Sequence, residues 1–287
     1  MLFRSTTWTV PGDFATIQDA IDSDDVVDGD TILVGPGDWF GAIVDKDVEI
    51  RGEGGAVIVD GPVSGVWEFG FRLSSGSDGA TISHFTFQGL MLAIYGWGPD
   101  DVTVEHNKVY DTCQGITNWD GDNWVIKNNV IKGIAVMNNG GGIAICVGSQ
   151  GDDVSGNYIA QNKIVAYIPG EFTFSVGGIL LCTDERKVTP GIVSDNKIVH
   201  NKVKITAEEH EDCWAITLQL IPPTGEEPIG TLRDNLVGFN DLRGSDIGIS
   251  YYPDAETLEP INTISRNLGE DDNRGHGVTP ADIFDPT

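Results

Sequence analysis

A short motif that recurs with an asparagine in register constrains the folding of this 287-residue chain more than any other feature. The copies are DVTVEHNKV (101–109), NWVIKNNVI (123–131), DDVSGNYIA (152–160), GIVSDNKIV (191–199), GTLRDNLVG (230–238) and NTISRNLG (262–269). They align Asn107, Asn129, Asn157, Asn196, Asn235 and Asn267 in one column. An aliphatic residue stands three positions before each: Val104, Ile126, Val154, Val193, Leu232 and Ile264. Intervals of 22, 28, 39, 39 and 32 residues fit a coil of three short strands with some extended loops, whereas helical repeats would carry longer apolar stripes. One copy cannot bury its apolar edge alone, but stacked copies can. Amides stacked at about 4.8 Å can hydrogen-bond along the stack and satisfy polar groups at a buried corner, which makes the column structural rather than catalytic.

A second motif supports the same register. GGIAIC (141–146) and GGILLC (177–182) are nearly one hexapeptide, and GITNW (115–119), AITLQ (215–219) and IGIS (247–250) are related. Their alignment predicts an inward column of Ile116, Ile143, Ile179, Ile216 and Ile247, with Cys146 and Cys182 stacked outward as free thiols. At the start, Asp13 reads as an N-cap for a helix that puts Phe14, Ile17 and Ile21 on one face, a lid for the open end of the stack. The expected fold is all-β: one right-handed parallel β-helix of eight or nine coils, about 40 Å long, with an N-terminal capping helix. Residues 1–28 supply the first strand and the helix, 29–269 the coils, and 270–287 a polar tail.

Charge then narrows the partners. The 17 Lys and Arg against 44 Asp and Glu leave a formal charge of −27, and no basic cluster is visible along the chain, so nucleic acid is not an expected partner. A charge of this size also suits a solvated surface in high salt. No apolar run is long enough for a membrane helix, and the start MLFRSTTWTV carries no signal-like apolar run. The four cysteines, at 113, 146, 182 and 213, form no CxxC pair and no zinc pattern.

With this pattern the chain resembles the pectate-lyase-like superfamily of right-handed parallel β-helices. The segments VPGDFATIQDAID (10–22) and GDTILVGPGDW (29–39) are similar to the opening of pectin methylesterases and of other carbohydrate-acting β-helix proteins. The resemblance implies a fold more than an activity, since this fold serves lyases, hydrolases, epimerases, esterases and non-catalytic adhesins. The esterase set of Gln, Asp and Arg has no full counterpart, although Asp111 in VYDTCQG matches part of it. Gly275, His276 and Gly277 spell the GHG of polygalacturonase-like hydrolases but stand in the tail with no RIK element after them.

The candidate site is the outward strip beside the GGI column, which reads Thr117, Trp119, Cys146, Leu180, Cys182, Thr217, Gln219 and Ser250, with Tyr252 beyond. As a groove for a polysaccharide or oligosaccharide it would bind through Trp119, Gln219, Tyr252 and Asp122. Asp120, Asp122, Asp184 and Glu185 could hold Ca²⁺ through hard oxygens, with Arg186 or Lys187 as base in a β-elimination. Asp120 or Asp122 facing Asp184 could instead serve a glycoside hydrolase. In the EEHED run, His210 is a further base or ligand candidate against a solvated loop. No organic cofactor is expected. A carbohydrate target places the protein outside the cell or at its surface, while oligomeric state is left open. The competing expectation is a non-catalytic surface or assembly protein, and the strip separates the two. An open strip favours an enzyme or lectin, and a covered one favours structure. At −27, an acidic glycan is expected to need a bridging cation.

Overall fold

The computed structural model describes residues 5–65, 67–134, 142–168, 176–186, 191–208, 213–223 and 225–270. Short parallel strands coil in a fixed order through three long sheets of nine, ten and seven strands, and a fourth sheet of three strands joins in the later coils. The chain is a right-handed parallel β-helix, and its longest sheet has ten strands, slightly more coils than the repeats suggest. One inward column, Ile32, Ile50, Ile82, Val104, Ile126, Ile159, Ile198, Val237 and Ile264, runs through nine strands of the ten-stranded sheet, with Trp8 next in register on the first. Neighbours in it stand one strand spacing apart, so each coil buries the edge of the next.

The single asparagine column of the sequence resolves into two. Asn107, Asn129, Asn162, Asn201, Asn240 and Asn267 form one ladder, at the corner from the ten-stranded to the seven-stranded sheet. Asn118, Asn157, Asn196, Asn235 and Asn262 form the other, along the corner that enters the ten-stranded sheet. Val154, Val193 and Leu232 accordingly pair with one another in the three-stranded sheet, not with Val104 and Ile126. The two corners share one local sequence, an aliphatic residue three before an Asn, and alignment alone merges them.

The ladder chemistry is the expected one. The Asn201 Oδ1 accepts from the Asn162 backbone N–H at 3.0 Å and from its Nδ2 at 3.0 Å. The Asn201 Nδ2 donates to the Ile159 carbonyl at 2.9 Å and to the next Asn240 Oδ1 at 3.1 Å. In the first ladder each asparagine from Asn107 onward follows a residue with positive φ: His106, Asn128, Gln161, His200, Phe239 and Arg266 lie between 57° and 60°. That left-handed step is costly for branched or bulky residues, and the asparagine bonds that follow hold it in place.

The lid is shorter than expected. The helix is Ile17–Asp22, and its N-cap is Thr16, whose side chain accepts from the Asp19 N–H at 3.0 Å. Asp13 lies one turn earlier and closes the preceding bend, accepting from the Thr9 N–H and Oγ1 at 2.8 Å each. Ile17, Ala20 and Ile21 are buried, and Phe14 packs beside them. The Gln18 amide bonds both ways to the Ile43 backbone, at 2.8 and 3.3 Å, which blunts an exposed strand edge. The polar tail expected at 270–287 lies outside the described residues beyond Glu270. No helix among the described residues is long and apolar enough to cross a membrane.

The ladder gives a direct test. Asn201→Ala removes the acceptor for the buried Asn162 N–H and breaks bonds to two coils, and a buried orphan donor costs about 1–3 kcal/mol. Urea unfolding should show stability lowered by about 2–4 kcal/mol, well beyond an exposed control such as Gln161→Ala.

Candidate functional site

The outward strip is closed. In register its two rows read Trp97, Trp119, Gly148, Cys182, Gln219, Tyr252 and Tyr95, Thr117, Cys146, Leu180, Thr217, Ser250. Trp119, Cys146, Leu180, Cys182, Thr217 and Gln219 are all at most 2% exposed. Trp119 and Gln219 are therefore not surface platforms for a sugar. Trp119 belongs to a second apolar cluster outside the nine-stranded sheet, with Met91, Cys113, Ile143 and Trp214, and Gln219 is a buried polar residue in the same strip. Tyr252 is only half-buried, and Trp97 is 42% exposed at the strip's edge.

The register also corrects the GGI alignment. Ile94, Ile116, Ile145, Ile179, Ile216 and Ile249 form the inward column, while Ile143 pairs with Gly177, Trp214 and Ile247 one step earlier. Two glycines seat the tryptophans: a Cβ on Gly177 would lie 1.9 Å from the Trp214 ring, and one on Gly148 would lie 2.6 Å from that of Trp119. Cys146 thus stands beside Leu180, and Cys182 beside Gly148. The two thiols are free and still meet in a side-chain hydrogen bond, with Cys182 pushed well above the usual thiol range by burial and then by Cys146.

The acidic candidates are spent on structure. Asp120, at φ 57°, accepts from the backbone N–H of Gln150 at 2.6 Å and of Asp152 at 3.3 Å, and from Trp97 Nε1 at 2.8 Å. Burial nonetheless outweighs these bonds and raises its pKa above the ordinary carboxylate value. Asp184 is clamped by Arg186, Nε to Oδ1 at 2.8 Å and Nη2 to Oδ2 at 2.7 Å, and takes 3.2 Å from Gln150 Nε2. Gln150 is thus the bridge that brings Asp120 and Asp184 into one neighbourhood. Glu185 turns away to accept from the Ile229 and Gly230 N–H groups at 2.8 and 2.6 Å.

Asp122 belongs to a different row. It accepts from the Ser155 N–H at 2.6 Å, as Asp100 does from Asp122, Asp78 from Asp100 and Asp28 from Asp47, an aspartate ladder up one corner. The four carboxylates expected to share a cation are therefore dispersed over three separate bonding arrangements. Among the described residues no three of His, Cys, Asp and Glu converge on a point that could hold a metal. Lys187 and His210 lie outside the described residues.

The open faces are elsewhere, and sequence reading misses them. On the seven-stranded sheet, strand pairing aligns Lys108, Val130, Lys163 and Lys202 in one outward row and Tyr110, Lys132, Val165 and Lys204 in the next. All five lysines are exposed, over buried Val109, Ile131, Ile164, Val203 and Ile205. The expectation that no basic cluster exists is corrected here: lysines 24 to 39 residues apart in sequence become neighbours by coil register. The adjoining corner carries the positive-φ residues. His84 stacks on His106 at 5.1 Å, His200 on Phe239 at 5.3 Å, and Arg266 lies over Phe239 at 5.2 Å. The signal available in sequence was the alternation of strand positions after each Asn, which puts Lys108, Val130, Lys163 and Lys202 directly behind the ladder.

Fold and faces together define a single-stranded right-handed parallel β-helix with one closed and one open lateral face. Residues 23–219 match the model of the family described as periplasmic copper-binding protein (NosD), and the chain belongs to that family. No curated protein matches the chain. Among solved structures, it is similar to an alginate lyase from Paenibacillus sp. str. FPU-7, at 15% identity and TM-score 0.46, covering 91% of this chain and 98% of that one. It is also similar to a tailspike protein mutant of E. coli bacteriophage HK620 in complex with a pentasaccharide, at 10% identity and TM-score 0.49, covering 84% and 44%. A third is the A-module of the Azotobacter vinelandii mannuronan C-5 epimerase AlgE4, at 14% and 0.36, covering 96% of each.

The family's description raises copper, and the residues described here do not fit it. Copper(I) favours thiolate and thioether ligands, but Cys146 and Cys182 are buried, burial pushes the Cys182 thiol well above its usual range, and among the described residues no three of His, Cys, Asp and Glu converge on them.

The raised Asp120 has a measurable consequence. A carboxylate whose folded pKa lies above its unfolded one stabilises the fold below the ordinary Asp value and loses that contribution as pH rises through the raised value. Asp120→Asn should flatten this part of the stability profile, seen as a smaller fall in melting temperature than wild type as pH is raised from below the ordinary Asp value through the raised one.

Proposed function

We propose that the protein is a carbohydrate-binding β-helix that holds an extended glycan against its open lateral side rather than cleaving it in the strip of the nine-stranded sheet. The observation that carries this reading is the contrast between the two faces. The strip that would form a cleavage groove is packed with buried apolar side chains, and its nearest carboxylates already hold backbone N–H groups and an arginine. The seven-stranded side presents the same outward positions coil after coil, with Tyr167 61% exposed and Tyr110 beside the lysines. A surface that repeats at one strand spacing suits a polymer that repeats, and exposed rings supply flat contact area for sugar faces. A site outside the cytoplasm agrees with the family's periplasmic description and with such a partner.

Affinity electrophoresis through gels holding neutral or acidic polysaccharides tests this, run beside assays for new reducing ends and unsaturated products. Retention by at least one polymer without product is expected, with Tyr167→Ala weakening retention by about tenfold at unchanged melting temperature. Product formation that Asp120→Asn abolishes would overturn the non-catalytic reading. Passage through every gel would overturn carbohydrate binding itself.

A further inference from the structure

We propose that the seven-stranded face binds a linear acidic polysaccharide, with one anionic group per sugar, through Lys108, Lys132, Lys163, Lys202 and Lys204. The proposal rests on the carbohydrate reading above and names the class of glycan and the groups that recognise it.

The first support is charge segregation. A chain of net charge −27 places five of its 17 basic residues on four successive strands of one sheet. The other outward positions of those strands are Tyr110, Val130, Val165, Tyr167 and Thr206, with exposed Asp111 at the end of the first strand, against Gly133. The described acids that border them in sequence or register are Asp111, Glu208 and Asp241. Asp241 is held by Arg243 at 2.8 and 2.9 Å and reaches Lys202 only at 3.9 Å. Lys108, Lys132, Lys163 and Lys204 have no ion-pair partner among the described residues, whereas Lys127, one sheet away, pairs with Glu105 at 3.1 Å.

The second support is an arrangement that works against the free protein. Lys163 and Lys202 are directly opposite in register, and like charges so placed repel. In a chain with 44 acidic residues, oppositely charged partners are abundant, yet none intervenes in these rows. An anionic polymer laid along the stack relieves that repulsion.

Spacing selects among polyanions. Successive coils stand about 4.8 Å apart; Lys108, Lys132 and Lys163 supply one ammonium per coil, alternating between two rows, and the next coil supplies one to each row, Lys202 and Lys204. A polymer with one carboxylate or sulfate per sugar meets that pattern one group per coil. Duplex DNA carries a charge about every 1.7 Å of axis, roughly three per coil, which these lysines would leave mostly unneutralised against the repulsion of a −27 chain. The half-buried Tyr110 lies in the second row, and exposed Tyr167 lies in the next row along the strand, opposite Thr206; both can cover sugar faces beside the charges. Direct ammonium contacts replace the bridging cation that net charge alone would demand.

The test uses the full chain and sodium polygalacturonate, its carboxyl-reduced counterpart and single-stranded oligothymidylate. Titrations are followed by calorimetry with chelator present. Binding to polygalacturonate is expected without Ca²⁺. It should weaken at least about tenfold in Lys108→Gln/Lys132→Gln/Lys163→Gln, and similarly on raising salt from about 50 to 300 mM, because exposed charge pairs are screened. The matching Lys→Arg triple variant should retain binding, and both should melt like wild type. Equal binding of the reduced polymer, unaffected by the Gln variant, would overturn the acidic class while leaving carbohydrate binding intact. Silence with both polymers would overturn both. Tighter binding of oligothymidylate through the same lysines would make the partner a nucleic acid, and binding that needs Ca²⁺ would overturn direct lysine recognition.

Discussion

The interaction on which the whole stack depends is the asparagine ladder at its corners. A coil that turns sharply between strands leaves backbone N–H and C=O groups facing the interior, where no water reaches them. Each ladder asparagine supplies an acceptor to the coil before it and donors to a carbonyl and to the coil after it, as Asn201 does for Asn162, Ile159 and Asn240. This fixes both the height and the register of every coil. Once register is fixed, side chains far apart in sequence must fall into rows, and what those rows contain decides what each face can do.

Two faces diverge for that reason. On the nine-stranded sheet the rows contain Trp119, Cys146, Leu180, Cys182 and Trp214, which bury one another into a second apolar cluster seated on Gly148 and Gly177. On the seven-stranded sheet the rows contain lysine and tyrosine and stay in water. Net charge therefore describes this molecule poorly at the range of a binding event. Beyond the screening length a partner meets a strongly acidic body, but within it the seven-stranded face is basic. Part of the acidity is structural, since the ladder from Asp28 to Asp122 spends its carboxylates on backbone N–H groups.

The fold was legible because its cause is periodic. Val104, Ile126 and their asparagines repeat the same local problem in each coil, and the lid helix follows from Ile17 and Ile21. The second ladder was harder to see. In SGNYIAQN, SDNKIVHN and RDNLVGFN an asparagine recurs five residues after the first, so that Asn162, Asn201 and Asn240 carry the original ladder while Asn157, Asn196 and Asn235 start another. The strip's residues could be read from the sequence, but whether it is open or covered could not. Whether Trp119 and Gln219 face water depends on what packs outside the sheet, which alternation along a strand cannot express. The lysine face escaped notice because no two of Lys108, Lys132 and Lys163 are close in sequence, and only strand register across loops of unequal length brings them together.

Lysine footprinting tests the central claim most directly. Acetylation by a small amine-reactive ester, read by mass spectrometry with and without saturating polygalacturonate, reports each ammonium separately. The account expects Lys108, Lys132, Lys163, Lys202 and Lys204 to lose reactivity together, with Lys46 and Lys197 unchanged. Unaltered reactivity of those five while the polymer is bound, or protection confined to another face, would contradict it.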